Sequence, residues 1–269
     1  MKYIFYTLLI FTTTIFSQVK IDRDLGEFSK VAVYDGINLE LIKSDENKVE
    51  IRGKNTAYVV VKNKNGDLKV RLNLEKRFSG ERTKVTLFYK TLYNIISHEG
   101  SNIFSKDTIK QADISIKANT GSTQNFVFNI NTLNTTAATG ANITVSGKTE
   151  YHDSTASTGA KINAQDLTAE EAYVSSTSGA VLNVSVAKEL EANCKLGGII
   201  NVYKKTEKIT ETISLGGSVN YLYDQYSSKK FLHFSKSIIS LIHGNGFLVS
   251  SYGLGKFRFS SLLFAMNWT

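Results

Sequence analysis

The sequence predicts an all-β fold, a single-chain parallel β-helix with coils of about 19 residues, and three observations carry that prediction. Glycines recur at Gly100, Gly121, Gly140, Gly159, Gly179, Gly197 and Gly216, at intervals of 21, 19, 19, 20, 18 and 19 residues. The neighbouring columns keep the same period. Three residues after the glycine stand Ile143, Ile162, Leu182, Ile200 and Val219, and one residue further Thr144, Asn163, Asn183, Asn201 and Asn220, with Asn125 in that column after Gly121. Finally, no apolar stripe of helical period runs through the units. Short alternating stretches such as Leu182-Asn183-Val184-Ser185-Val186 take its place, so each unit is strand and turn. One such unit cannot bury its own apolar face. Stacking equivalent strands at about 4.8 Å per coil buries a continuous inner column and satisfies the backbone. At about 3.3 Å per residue a coil traces roughly 60 Å, enough for two or three short faces around a thin core. Right-handed coiling is the expected sense for parallel crossovers.

From the N-terminus, residues 1–17 read as a signal peptide: Lys2 supplies a charged start, Tyr3 to Phe16 are apolar or hydroxylic, and the small Ser17 precedes Gln18. The run is too short to span a bilayer comfortably, so the reading is an exported, extracytoplasmic chain, periplasmic or at the cell surface, without a stable transmembrane span after cleavage. Residues 18–224 form the expected β-helix domain. Within it, Val31 to Val33, Asn38 to Ile42, Val49 to Arg52, Tyr58 to Lys62, Leu68 to Leu74 and Val85 to Tyr89 are longer amphipathic strands that precede the clear repeats. They are expected to form a strand-rich cap over the first coil, whose edge would otherwise be free to pair. Asn65-Gly66 predicts a hairpin inside this cap.

In the repeats, Gly121, Gly140, Gly159, Gly179, Gly197 and Gly216 are read as structural corners, required either by positive φ or by close approach of neighbouring coils. Asn125, Asn163, Asn183, Asn201 and Asn220 are read as a structural ladder of stacked amides. The sole cysteine, Cys194, cannot form an internal disulfide and falls in a column of Ala, Ser and Ile, so it reads as a small core residue. Residues 225–269 lose the period. With Phe231-Leu232-His233-Phe234, Leu262-Leu263-Phe264 and Trp268 they form a basic, aromatic tail with no assigned role, read as an appendage to the domain.

The formal charge is +8, but the tail holds five of the cations and no carboxylate. Setting aside the tail and Lys2 leaves +2 for the main body, too little for a nucleic-acid-binding domain. For chemistry, Glu150, Glu170, Glu189 and Glu207 occupy similar positions between successive glycines. A stacked carboxylate column would suit a carbohydrate-active β-helix enzyme, a lyase or hydrolase. Against that alternative, Lys148, Lys188, Lys205 and Lys208 lie within two residues of these carboxylates, the pattern of a solvated ladder of mixed charge. His152-Asp153-Ser154 brings together three catalytic residue types, but consecutive strand residues face opposite sides. His98, His233 and His243 lack metal-ligand spacing, and no cofactor motif is present.

Phe28-x-x-Val31-x-Val33, the short run Asp35-Gly36-Ile37-Asn38 and the strand Leu68-x-Val70 after a tight turn, followed by strand repeats with glycine corners, resemble the putative auto-transporter adhesin head GIN domain family over about residues 28–221. The resemblance implies an extracytoplasmic β-helix-like domain of the bacterial cell envelope and brings no catalytic residues. The corners here are Thr-Gly-Ala or Leu-Gly-Gly where relatives often show Ser-Gly-Ser-Gly, and the segment after Asp224 has no counterpart in the family. The function expected is a non-enzymatic interaction or adhesin-like scaffold, whose partner would be an envelope or surface glycan or protein.

Overall fold

A computed structural model describes residues 21–223, so the expected signal peptide and the tail lie outside the described residues. The chain forms β1 (Ile21–Asp24), β2 (Lys30–Val33), β3 (Asn38–Lys43), β4 (Lys48–Gly53), β5 (Val59–Lys64), β6 (Asp67–Leu72), β7 (Thr83–Tyr89) and β8 (Asn94–Ser97). The long strands β9 (Asn102–Ala118), β10 (Thr123–Ala137), β11 (Asn142–Ala156), β12 (Lys161–Ser176) and β13 (Val181–Lys195) follow, then β14 (Ile199–Val202), β15 (Lys208–Ser214) and β16 (Ser218–Tyr221). Together they make a β-solenoid of about seven turns, each of about 19 residues.

Each long strand wraps most of one coil and pairs in parallel with its successor, β9 through β13 in chain order; β13 then pairs with both β14 and β15, and β14 with β16. Alternation sorts the side chains. In β10, Gln124, Phe126, Phe128 and Ile130 are buried while Thr123, Asn125, Val127 and Asn129 are exposed. Near the corner the core narrows, and the inward column there holds the small residues Ala118, Ala137, Ala156, Ser176 and Cys194, stacked in register. Cys194 is fully buried and its Sγ donates to the Gly198 carbonyl at 3.0 Å.

The corner itself is a type I′ turn, which needs φ > 0 at both central residues. In Asn119-Thr120-Gly121-Ser122, φ is 51° at Thr120 and 67° at Gly121, and Ser122 N donates to Asn119 O at 3.2 Å. Gly121 N then donates to Thr139 O of the next corner at 3.0 Å, and the same bond recurs from coil to coil. A Cβ placed on Gly121 or Gly159 would have nothing within 4 Å, so these positions need glycine for its dihedral freedom and not for close approach. Close approach governs Gly147 instead, where a Cβ would lie 2.0 Å from the Phe128 carbonyl oxygen. Thr120, Thr139 and Thr158 hold left-handed φ despite branching at Cβ, a strain that the corner-to-corner hydrogen bonds sustain.

At the N-terminal end the strand-rich cap is present, but its coils are not stacked in chain order. β2 and β3, joined by the same kind of corner at Asp35 and Gly36, sit between two layers: β6 and β7 on one side, β8 and β9 on the other. After β3 the chain passes through β4, which is antiparallel to β7, and through the β5–β6 hairpin turned at Asn65-Gly66; only then does it return to start the regular coils. β1 lies antiparallel on β4. Asp35 is buried at this corner, where its Oδ2 accepts from Leu72 N at 3.0 Å.

The two roles of glycine separate experimentally. Gly159→Ala is expected to cost about 1–2 kcal/mol, the penalty of a left-handed L-residue, whereas Gly147→Ala must displace a backbone carbonyl and costs more. Urea unfolding of the two variants measures the difference.

Candidate functional site

The parallel register of β11, β12 and β13 decides what gathers on the outer face of this sheet. Tyr151 stands opposite Glu171, which stands opposite Glu189 and then Lys208 in β15. Two residues further along, Asp153, Tyr173 and Glu191 form the adjoining row. These side chains, Lys208 apart, line a shallow depression of about 270 Å³. Tyr151 and Tyr173 are 51% and 41% exposed, unusual for large rings on an otherwise polar strand surface. Partial burial pushes the Asp153 carboxyl above its ordinary range. Among the described residues no group of three or more His, Cys, Asp and Glu side chains is placed to hold a metal.

The inner side of the same strand explains why His152-Asp153-Ser154 is not a triad. His152 and Ser154 point into the core while Asp153 points out. Thr135 Oγ1 donates to Ser154 Oγ at 2.8 Å and lies 3.0 Å from His152 Nε2. With the Thr135 proton so used, the imidazole carries its own proton on Nε2 and donates it to Thr135 Oγ1. Burial lowers the His152 pKa to about 4, so the ring is a neutral core hydrogen-bonding group at physiological pH.

Of the four carboxylates in the sequence column, Glu150 and Glu170 keep a common register between β11 and β12, while strand irregularities take Glu189 out of line. Register shifts between Ala164 and Thr168 and between Ala169 and Glu171 bring Glu189 beside Glu171. Lys188 reaches Glu170 at 3.3 Å, and Lys208 reaches Glu189 at 2.5 Å. Glu150 and Glu207 are exposed. Counting residues from the corner glycines misses Glu171, Tyr151 and Tyr173 as neighbours, because the bulges absorb the extra residues of β12; aligning the strands by their inward residues would have found them.

Of the asparagines, four are linked. Asn183 Nδ2 donates to Asn163 Oδ1 at 3.4 Å, Asn201 Nδ2 to Asn183 Oδ1 at 2.8 Å, and Asn220 Nδ2 to Asn201 Oδ1 at 2.9 Å. Asn125 stands in the same column but faces Thr144 and Phe104, which offer no amide. The corner glycines Gly121 to Gly216 lie in the turns between strands, outside the tyrosine rows.

Comparison with known proteins gives a consistent result. The sequence profile of a family described as "Putative auto-transporter adhesin, head GIN domain" matches residues 27–206. A structure of a putative adhesin from Bacteroides fragilis superposes with a TM-score of 0.68 at 16% identity, covering 76% of this chain and 97% of its own. A putative adhesin from Parabacteroides merdae gives 0.63 at 15% identity, with coverages of 77% and 97%. A putative lipid binding protein from Parabacteroides distasonis gives 0.61 at 17% identity, again covering 77% and 97%. At these identities the likeness speaks for the fold alone. No curated protein sequence is significantly similar to the chain.

Two outcomes follow from the polar groups. Asn183→Leu removes the middle rung and strands the Asn201 amide, at an expected cost of about 1–3 kcal/mol, against a smaller loss for Asn220→Leu at the end of the ladder; urea unfolding compares them. His152 has a folded pKa of about 4 against 6.5 unfolded, so the unfolded chain binds more protons between these values. Its contribution is complete above pH 6.5 and falls as the pH drops toward 4, by roughly 3 kcal/mol in all. Thermal unfolding across that window should show a flatter profile for His152→Asn than for the parent chain.

Proposed function

The chain belongs to the GIN-domain family of putative auto-transporter adhesin heads, and from that premise we propose that it is an exported, non-enzymatic scaffold of the bacterial cell envelope that engages a surface molecule through the outer face of β11–β13. The observation that carries this reading is the pair of exposed rings, Tyr151 and Tyr173, set among Asp153, Glu171, Glu189 and Glu191. Tyrosine supplies a large contact area with little rotamer entropy to lose, and carboxylates accept hydrogen bonds from hydroxyl or cationic groups. The platform beneath them is a parallel sheet whose inner side chains are packed, so the rings are held on a rigid element and need little ordering on contact.

Several features support a binding role over a catalytic one. Glu170 and Glu189 are each paired to a lysine, Glu150 and Glu207 stand in solvent, and the four do not converge on one groove. Export rests on the sequence of residues 1–17, and an envelope location agrees with the family. No helix among the described residues is long and apolar enough to cross a membrane.

The test is adhesion of whole bacterial cells and binding of purified envelope and host glycans to the immobilised chain. Tyr151→Ala with Tyr173→Ala should weaken binding at least about tenfold, the scale of losing aromatic anchors, with an unchanged circular dichroism spectrum. Undiminished binding by the double variant removes this face from the reading. Cleavage of an acidic polysaccharide by the parent chain would overturn the non-enzymatic assignment.

A further inference from the structure

The sheet that carries the tyrosines does not stop at β11. Through β10, β9, β8, β2 and β6 it runs without a break to the β5–β6 hairpin of the cap. The outward row of Asp153, Tyr173 and Glu191 continues back through Asn134, Ser115 and Asn94. It then reaches Lys30, Asp67 and Lys64. One face of the solenoid is therefore polarised along its axis in net charge: Asp113 and Lys117 offset one another in the middle, and the two ends carry opposite excesses.

At the cap end a hollow of about 410 Å³ is lined by five cations, Lys62, Lys64, Lys69, Arg71 and Arg77, against three carboxylates, Asp35, Asp67 and Glu99. Lys62 sits directly opposite Lys69 in the hairpin, and none of Lys62, Lys64, Lys69 and Arg71 makes an ion pair among the described residues. At the far end Glu171 sits directly opposite Glu189; Glu189 is paired with Lys208, whereas Asp153, Glu171 and Glu191 make no ion pair among the described residues. Like charges facing each other across strands destabilise the isolated chain, and here an excess of each sign is kept at opposite ends beyond the pairs Lys30–Asp67, Arg77–Asp35 and Lys208–Glu189. From β6 to β13 there are seven strand spacings, about 34 Å at about 4.8 Å each. A lone ligand of one charge would answer only one end. A surface carrying the same polarity in reverse answers both, and this chain itself presents that surface.

We propose that the partner of this face is a second copy of the chain, packed antiparallel about a dyad near the β9–β10 pairing, so that the cationic hollow of each copy covers the acidic, tyrosine-bearing depression of the other. This rests on the reading of the face as the interaction surface and names its occupant. The contact is isologous: with the dyad between β9 and β10, β6 of one copy lies over β13 of the other, so that the partner's Lys69 and the partner's Arg71 meet Glu189 and Glu191. At the centre, where the two sheets cross the dyad, Ser115, Asn134 and Thr136 stand beside one charge of each sign on β9, Asp113 and Lys117.

Sedimentation and light scattering of the purified full chain test this directly. At about 50 mM salt the chain should be dimeric, and at about 500 mM, where exposed charges are screened, the dissociation constant should rise at least about tenfold. Lys69→Glu with Arg71→Glu, and separately Glu171→Lys with Glu191→Lys, should each abolish the dimer, because like charges then meet at both contacts. Mixing these two double variants should restore a one-to-one dimer, and the fourfold variant, with its polarity reversed, should dimerise by itself. That rescue also shows that the variants fold. A chain that stays monomeric, a dimer indifferent to salt, or double variants that dimerise like the parent would each overturn the proposal. A monomer that still loses glycan or cell binding on Tyr151→Ala with Tyr173→Ala overturns self-association alone and leaves the binding face in place.

Discussion

The hydrogen bond from each corner glycine N–H to the carbonyl of the next corner sets the register of the whole solenoid. Because both central residues of the turn hold positive φ, the chain reverses within two residues and re-enters the next coil at a fixed phase. A slip of one residue would turn every inward side chain outward. The corner thus decides which residues stack, and everything described above is a statement about stacks: Phe126 and Phe128 inward on one strand, the amides of Asn163 to Asn220 in line, and tyrosine beside carboxylate on the open face.

Polar residues inside the coil reinforce that phase. Gln124 donates to Ser97 Oγ at 2.8 Å and to the Lys117 carbonyl at 2.9 Å, Thr135 joins His152 to Ser154, and Thr206 donates to the Val186 carbonyl. Each is satisfied only by a partner at one height along the axis. An apolar column tolerates sliding, but a column of this kind leaves buried donors unmatched when it slides, which is costly in a low-dielectric core.

The periodic part of this arrangement was readable from sequence because a stack repeats its residue types: glycine after a left-handed partner, Ile or Leu three residues on, Asn one further. The Asn65-Gly66 hairpin was readable for a local reason, its turn chemistry. The cap order was not. Nothing in Val31 to Asn38 distinguishes a coil that will meet its successor from one that will be flanked by β6 and β7, since the pairing is non-local and the local pattern is the same. The tyrosine rows were hidden by the irregularities in β12, which shift Glu171 into line with Glu189 and defeat counting from glycines. The charge polarity was hidden by summation: cations between Lys62 and Arg77 and carboxylates between Asp153 and Glu191 nearly cancel in the total, and only the sheet order puts them on one face.

The order of the cap also bears on how the chain comes into being during synthesis. The β2–β3 coil has neighbours on both sides that are made later than itself, the nearer ones by Tyr89 and the last by Phe104. The β2–β3 coil therefore cannot settle while only the first few dozen residues have left the ribosome; its full set of neighbours needs about a hundred residues to be free at once. From that point each new coil finds a finished template immediately beneath it and adds by nearest-neighbour contacts alone. Assembly is then a slow closure followed by a vectorial zippering in the direction of translation.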